Sequence, residues 1–415
     1  MTAALARPAS FGLAPWSLFA ALIAAAGLPI YIHAPKVYVD EYGVGLAALG
    51  AVLFGLRLFD VVQDPALGWL AEIGRRQRGA MVAGAAALMA LAMLGLFAVT
   101  PPVAPLLWFA LTLAVLFTAF SFLTIAFYAE GVAKAATLGP SGHLRLAGWR
   151  EAGGLIGVSV AAVAPVALAS VTDQPFAAFA LGFALLAVVA VWAMRRQWAG
   201  ASAPHPNFAV VLRDSTARRL LLLALVNAAP VAVTSTLFLF YVESRLDAPN
   251  AAGPLLLLFF LSAAASAPIW SRLATRFGTK RILLAGMGLA VLTFGFAIPL
   301  GAGDTAAFAL VCVASGAALG ADMTLLPAIF ARHLAQQVPL AGPATAFGLW
   351  SFVSKLSLAL AAATLLPILQ AQGFTPGATN AAEALSTLSL LYAALPCALK
   401  LLAIALLATT PVPEV

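Results

Sequence analysis

Residues 57–79 read Arg57-Leu-Phe-Asp60-Val-Val-Gln-Asp64-Pro65-Ala-Leu-Gly68-Trp-Leu-Ala-Glu72-Ile-Gly-Arg75-Arg-Gln-Arg78-Gly79. The first part closes an apolar run spanning 45–71, and the second is a short basic loop with glycine at a tight turn. The pattern returns later in the chain, where Pro268-Ile-Trp-Ser-Arg272-Leu-Ala-Thr-Arg276-Phe-Gly278-Thr-Lys280-Arg281 closes another apolar run. Two such loops at equivalent places divide the chain into related halves.

The composition sets the environment of those runs. Of 415 residues, 63% are hydrophobic and only 9% charged, whereas soluble domains carry about 25% charged residues. A soluble protein of this length cannot hide that much apolar surface, so the chain is expected to be an integral membrane protein. The run from Phe11 is too long for a signal peptide and lacks a small-residue cleavage site. No Walker loop, HExxH or GxSxG is present, which argues against ATP-driven pumping and against an enzyme. The two cysteines lie in apolar runs and read as buried small residues, and the four scattered histidines have no zinc-type spacing.

Apolar runs fall near 12–36, 45–71, 80–100, 104–132, 146–170 and 175–194, then near 220–244, 252–274, 282–302, 305–331, 343–370 and 386–409. A membrane-spanning helix needs roughly 20 apolar residues, so the expected fold is an all-α membrane protein of twelve transmembrane helices in two six-helix halves. The N-terminal half is expected over 1–197, a cytoplasmic linker over 198–217 and the C-terminal half over 218–415. Most of the 22 basic residues sit in loops on the side of the N-terminus, while the opposite loops are mainly acidic. Basic loops stay inside, which predicts cytoplasmic termini in an inner (cytoplasmic) membrane. The net charge of +7 is then a topology signal, with no nucleic-acid partner implied.

The charges left inside the runs are the informative ones, because a charge at the bilayer centre costs a few kcal/mol or more. Arg57, Asp60, Asp64 and Gly68 fall at i, i+3, i+7 and i+11 and share one helix face. Two carboxylates one turn apart beside a guanidinium suit a hard cation or one shared proton. A structural Arg–Asp lock between helices explains the same spacing. Lys355 has no acidic neighbour in its own run, so Asp60 or Asp64 is expected to balance it across the halves, the alternative being a side chain that snorkels to the membrane surface. Arg150, Glu151 and Glu130 form either a salt-bridge cluster or a gate touching substrate, and Asp322 is read the same way. Lys400 is expected to snorkel to the lipid surface. Tyr31, Tyr38, Tyr128, Tyr241, Trp149 and Trp350 could stack on a sugar ring, and Tyr31, Tyr128 and Trp350 are the ones placed in the substrate site. Gly27-Leu-Pro29 and Asn227-Ala-Ala-Pro230 occupy equivalent places in the two halves and predict paired helix interruptions lining a cavity.

Duplicated six-helix halves are the layout of the major facilitator superfamily. Within it, the string R-x-x-D-x-x-x-D-P-x-x-G at Arg57–Gly68 resembles the glycoside–pentoside–hexuronide:cation symporter family, the group of the melibiose permease. Arg150, the Pro268-Ile-Trp run, Gly320-Ala-Asp322 and Lys355 add to the resemblance, which spans nearly the whole chain. It implies a major facilitator fold and cation-coupled uptake of a sugar-like or other small organic solute, driven by H⁺ or Na⁺ with no cofactor, in a monomer. By that resemblance Asp60 and Asp64 are the cation-site aspartates, and the metal ligands if the ion is Na⁺. Lys355 and Arg57 balance their charge, and Arg150 lies near the substrate. The helix-1 acid that grips the sugar in galactoside-transporting members falls on Ala24, and the helix-4 acid near Ile125. Gln63 and Phe122 stand where the sodium-using relative offers an amide and a hydroxyl, a loss that favours H⁺. The resemblance also reaches lysolipid and amphiphile transporters, and a proton-coupled exporter is a further alternative on the same fold.

Overall fold

A computed structural model describes residues 12–198, 207–338, 342–375 and 380–412. Among them the secondary structure is helical, with no strand. In the N-terminal half, α1 (Ala14–Ala25) and α2 (Leu28–Asp40) make one broken pass, followed by α3 (Leu46–Ile73), α4 (Arg78–Phe97), α5 (Pro105–Ala136), α6 (Gly142–Leu168) and α7 (Pro175–Met194). A short helix, α8 (Phe208–Arg213), lies in the linker. The C-terminal half comprises α9 (Ser215–Phe240), α10 (Ala252–Phe277), α11 (Thr279–Ala297), α12 (Thr305–Gln337) and α13 (Pro343–Ala371). Its last pass is α14 (Ala382–Ser389) continued by α15 (Leu395–Thr409). The result is the major facilitator arrangement, six passes and six.

Local chemistry starts several of these helices. Pro105, Pro175 and Pro343 stand in the first turns of α5, α7 and α13, where a missing N–H costs nothing. Asp214 caps α9 by accepting from the Ala217 N–H at 2.6 Å. The same carboxylate meets His333 Nε2 at 2.7 Å and so ties the linker to α12.

The expected pair of interruptions is found on one side only. The first pass breaks between α1 and α2 at Gly27, whereas α9 runs straight through Pro230. In α9 the irregularity falls at the far end, where Tyr241–Arg245 form a π-helical turn. A second π-helical turn, Leu390–Ala394, joins α14 to α15. Tyr241 and Tyr392 stack across the two turns at 4.2 Å. The two repeat loops also differ. A 3₁₀ turn over Gly74–Gln77 joins α3 to α4, but a single residue, Gly278 at φ 94°, joins α10 to α11 in a conformation that favours glycine.

The halves meet through α3 against α13 and α6 against α10. The larger apolar core fills the N-terminal half and reaches the C-terminal half through residues such as Ala274, Leu325, Phe330, Leu334 and Leu407. These lie toward the end of the molecule that carries the basic loops. A separate core, including Leu246, Leu300, Phe308 and Leu388, closes the C-terminal half at the opposite end. The halves are thus packed together at the basic end and keep distinct cores at the other.

Candidate cation site and central cavity

Helix α3 carries Asp60 and Asp64 toward α5 and α13, both buried: Asp60 is 3% exposed and Asp64 0%. Lys355 comes to them from α13 of the other half. Its Nζ lies 2.8 Å from Asp60 Oδ1. It lies 3.0 Å from both oxygens of Asp64, with Oδ1 accepting the hydrogen bond. The same ammonium donates to Ser121 Oγ of α5 at 2.6 Å, and Ser121 donates to Asp60 Oδ1 at 2.7 Å. Gln63 donates through Nε2 to Asp60 Oδ1 at 3.0 Å and accepts through Oε1 from the Thr118 hydroxyl at 2.9 Å. Arg57 stands 3.9 Å from Asp60 Oδ2 with its side chain 30% exposed. Two carboxylates face an ammonium and a guanidinium, so the cluster is formally neutral and survives in a low dielectric only because it is so fully paired.

The sequence brings out Asp60, Asp64, Arg57 and Lys355, and the structure places them together. It leaves out Ser121 and Thr118, which carry no charge to mark them in an apolar run. Their presence changes the argument from Phe122: the preceding residue, Ser121, supplies the hydroxyl that Phe122 lacks.

A cavity of about 400 Å³ opens beside this cluster. Trp350, Ser354 and Leu358 line it from α13, at a spacing of four, so one face of α13 serves the cavity while Lys355 on the neighbouring face serves the carboxylates. Tyr128, Asn227, Phe260 and Asp322 contribute from α5, α9, α10 and α12.

The remaining candidates separate. Arg150 donates through Nε to Glu151 Oε1 at 2.8 Å and lies 3.6 Å over the Tyr128 ring, whose hydroxyl donates to the same Glu151 oxygen at 2.9 Å. This makes a buried cluster behind the cavity wall, reached through Tyr128. Glu130 is bound by Arg78 at 2.8 Å, a clamp between α4 and α5, and is not part of the cavity lining. The Tyr31 side chain lies outside the described residues. Asp322 lines the cavity and pairs with Lys400 Nζ at 2.5 Å.

Lys400 corrects an expectation. It does not snorkel: it is 2% exposed and also donates to Asn227 Oδ1 at 2.7 Å. Asp322 and Asn227 give the ammonium two oxygen acceptors inside the half, so the buried charge is paired. Glu72, in the last turn of α3 beside the basic loop, is also buried at 2% exposed. It reaches across the halves to accept from the Ala344 N–H at 3.0 Å, at the N-terminus of α13, where the helix dipole favours a carboxylate.

Among solved structures the chain is similar to a bacterial homologue of the iron transporter ferroportin in its outward-facing state. That match has a TM-score of 0.70 and 15% identity over 95% of this chain and 98% of that one. It is also similar to the major facilitator proton:xylose symporter XylE bound to 6-bromo-6-deoxy-D-glucose, with a TM-score of 0.66 and 11% identity over 97% and 96% of the two chains. At such identities these likenesses speak for the fold alone. No curated protein matches by sequence. The MFS/sugar transport protein family, the melibiose-permease-like group, matches residues 16–414. The chain belongs to that family and is a transporter, not an enzyme.

Proposed function

We propose that the protein is a cation-coupled symporter that moves a small organic solute by alternating access, with Asp60 and Asp64 receiving the ion. The observation that carries this reading is Lys355, an ammonium from one half held between two buried carboxylates of the other at 2.8 and 3.0 Å. Neutralising either carboxylate weakens the only ionic tie that α13 makes to α3 among the described residues. Because the next face of α13 lines the cavity, the same event alters the solute site. Arg57 balances the charge at the solvent-facing side of Asp60.

The geometry favours H⁺ over Na⁺ as the coupling ion. A proton needs one carboxylate oxygen, whereas a metal ion needs a shell of oxygens, and the space between these carboxylates already holds an ammonium. A transition-metal cargo, prompted by the ferroportin homologue, finds no cluster of three or more His, Cys, Asp or Glu among the described residues. With the basic loops placed in the cytoplasm, the packed end faces inward and the cavity faces outward. No partner chain or cofactor is required.

The test is uptake in sided proteoliposomes, using a solute found by thermal shift in a panel of sugars, lysolipids and organic acids. Asp64→Asn should abolish accumulation driven by an ion gradient while leaving solute exchange at equilibrium measurable. Accumulation that stays unchanged and still ion-dependent in Asp64→Asn overturns the assignment.

A further inference from the structure

The cavity holds a second buried ionic group that the cation cluster does not use. Asp322 is 7% exposed and lies in the cavity wall. Its Oδ2 is taken by Lys400, which also binds Asn227, while its Oδ1 is buried and accepts no hydrogen bond. A buried acceptor without a partner costs free energy until a donor reaches it. The carboxylate and the ammonium cancel, so the wall offers a neutral site with one unmet acceptor.

The rest of the lining is mostly apolar and includes Val231, Phe260, Met323, Leu326, Trp350 and Leu358. The polar groups are few, and two are committed elsewhere: the Tyr128 hydroxyl to Glu151 and the Asn227 oxygen to Lys400. A sugar stripped of water brings several hydroxyls, each needing a partner, and this cavity has too few to satisfy them. An ammonium solute meets a carboxylate already neutralised by Lys400 and would bury an uncompensated charge. An anion meets no unpaired cation on the lining.

Building on the symporter reading, we infer that the cavity takes a neutral, largely apolar solute carrying a single hydroxyl or N–H donor. The donor end is directed at Asp322 and the apolar body lies against Trp350 and Phe260. The carboxylate turns about its Cβ–Cγ bond to present the oxygen that now lacks a partner.

The experiment uses the full chain in detergent and reads quenching of tryptophan fluorescence. Four nitroaromatic probes share one quenching group: 3-(4-nitrophenyl)propan-1-ol, its methyl ether, the corresponding propylamine and 4-nitrophenyl xyloside. The alcohol is expected to quench saturably and to bind about tenfold tighter than the ether, the difference that about 1.4 kcal/mol represents. It should also bind tighter than the amine and the xyloside. Trp350→Phe should remove most of the saturable signal, which places the probe in this cavity. The triple variant Asp322→Leu/Lys400→Met/Asn227→Leu keeps the wall neutral, removes both oxygen acceptors of the group and should bring alcohol and ether to within about twofold.

Equal affinities of alcohol and ether, preference for the amine or the xyloside, or absence of saturable quenching by the alcohol each overturns the inference. Binding in detergent needs no ion gradient, so the two readings fail separately. An alcohol that binds as stated but is never accumulated supports the cavity assignment and counts against symport. A xyloside that binds best and is accumulated does the reverse.

Discussion

Lys400 shows how far a single charge in an apolar run can be interpreted from sequence. Near the end of the last run, a lysine with a long stem has an inexpensive route to the membrane surface, and nothing nearby in sequence offers it an acid. Its partners come from elsewhere in the chain, Asp322 on α12 and Asn227 on α9, so the pairing becomes visible only when three helices are assembled. The consequence for stability is specific. Lys400→Met leaves Asp322 as a buried, uncompensated carboxylate and should destabilise the protein by about 3–5 kcal/mol, the usual effect of removing one partner of a buried pair. Adding Asp322→Asn removes the orphaned charge and should restore most of that loss. Thermal unfolding of the two variants in the same detergent checks the order. A double variant no more stable than Lys400→Met would mean that the pair is not the unit the geometry describes. Lys355 behaves differently because its partners were legible: the carboxylates on α3 sit in the one run whose charges repeat at helical spacing.

At the scale of the element, the proposed mechanism rests on the pairing of α3 with α13. The two helices approach most closely where Gly68 faces Gly348. A Cβ on Gly68 would stand 2.6 Å from the Ala344 carbonyl oxygen and 3.1 Å from Gly348 Cα, and one on Gly348 would stand 2.9 Å from the Asp64 carbonyl oxygen. All three contacts are with backbone, which cannot move aside as a flexible side chain does. The seal is completed by Glu72 on the first turn of α13. Gly68→Val should therefore prevent the basic end from closing and shift the population toward the alternative, open there. Thr345, next to the Ala344 that meets Gly68, is fully buried, and Thr345→Cys is close to isosteric. In a background lacking Cys312 and Cys397, Thr345→Cys should resist a water-soluble maleimide, and adding Gly68→Val should make it react many times faster. Equal rates would show that Gly68 does not hold the seam. The string from Arg57 to Gly68 was thus readable as a unit, although its glycine serves helix contact and its acids serve charge. The Asn227–Pro230 motif does not end α9, which stays helical on both sides of Pro230, but it does put Asn227 and Ala228 in the cavity lining. The π-helical turns had no sequence signal at all, since the same residues fit an ordinary helix.

For the whole molecule, twelve passes and two halves were legible because hydropathy and loop charge act over tens of residues and need no tertiary detail. Which end is sealed was not legible, because that depends on how two similar halves tilt against each other. The structure joins the halves at the basic end and keeps a separate core at the other, so the orientation of the chain decides which conformation this is. Arg76 lies in the turn between α3 and α4, and Asp173 lies between α6 and α7; both are exposed. The three passes α4, α5 and α6 separate them, so they must face opposite sides of the membrane. By the rule that positive loops remain inside, we propose that Arg76 lies in the cytoplasm and that the sealed end is the inner one. In the cysteine-free background, Asp173→Cys should be labelled by an impermeant maleimide on right-side-out vesicles and Arg76→Cys only on inverted ones. Labelling of both from one side would contradict the number of passes. A reversed pattern would keep the fold but turn the molecule over, so that the cavity faces the cytoplasm and the contacts of Gly68 and Glu72 become an outer seal. The vesicle sidedness thus fixes whether a solute first meets Trp350 and Asp322 from outside the cell or from within.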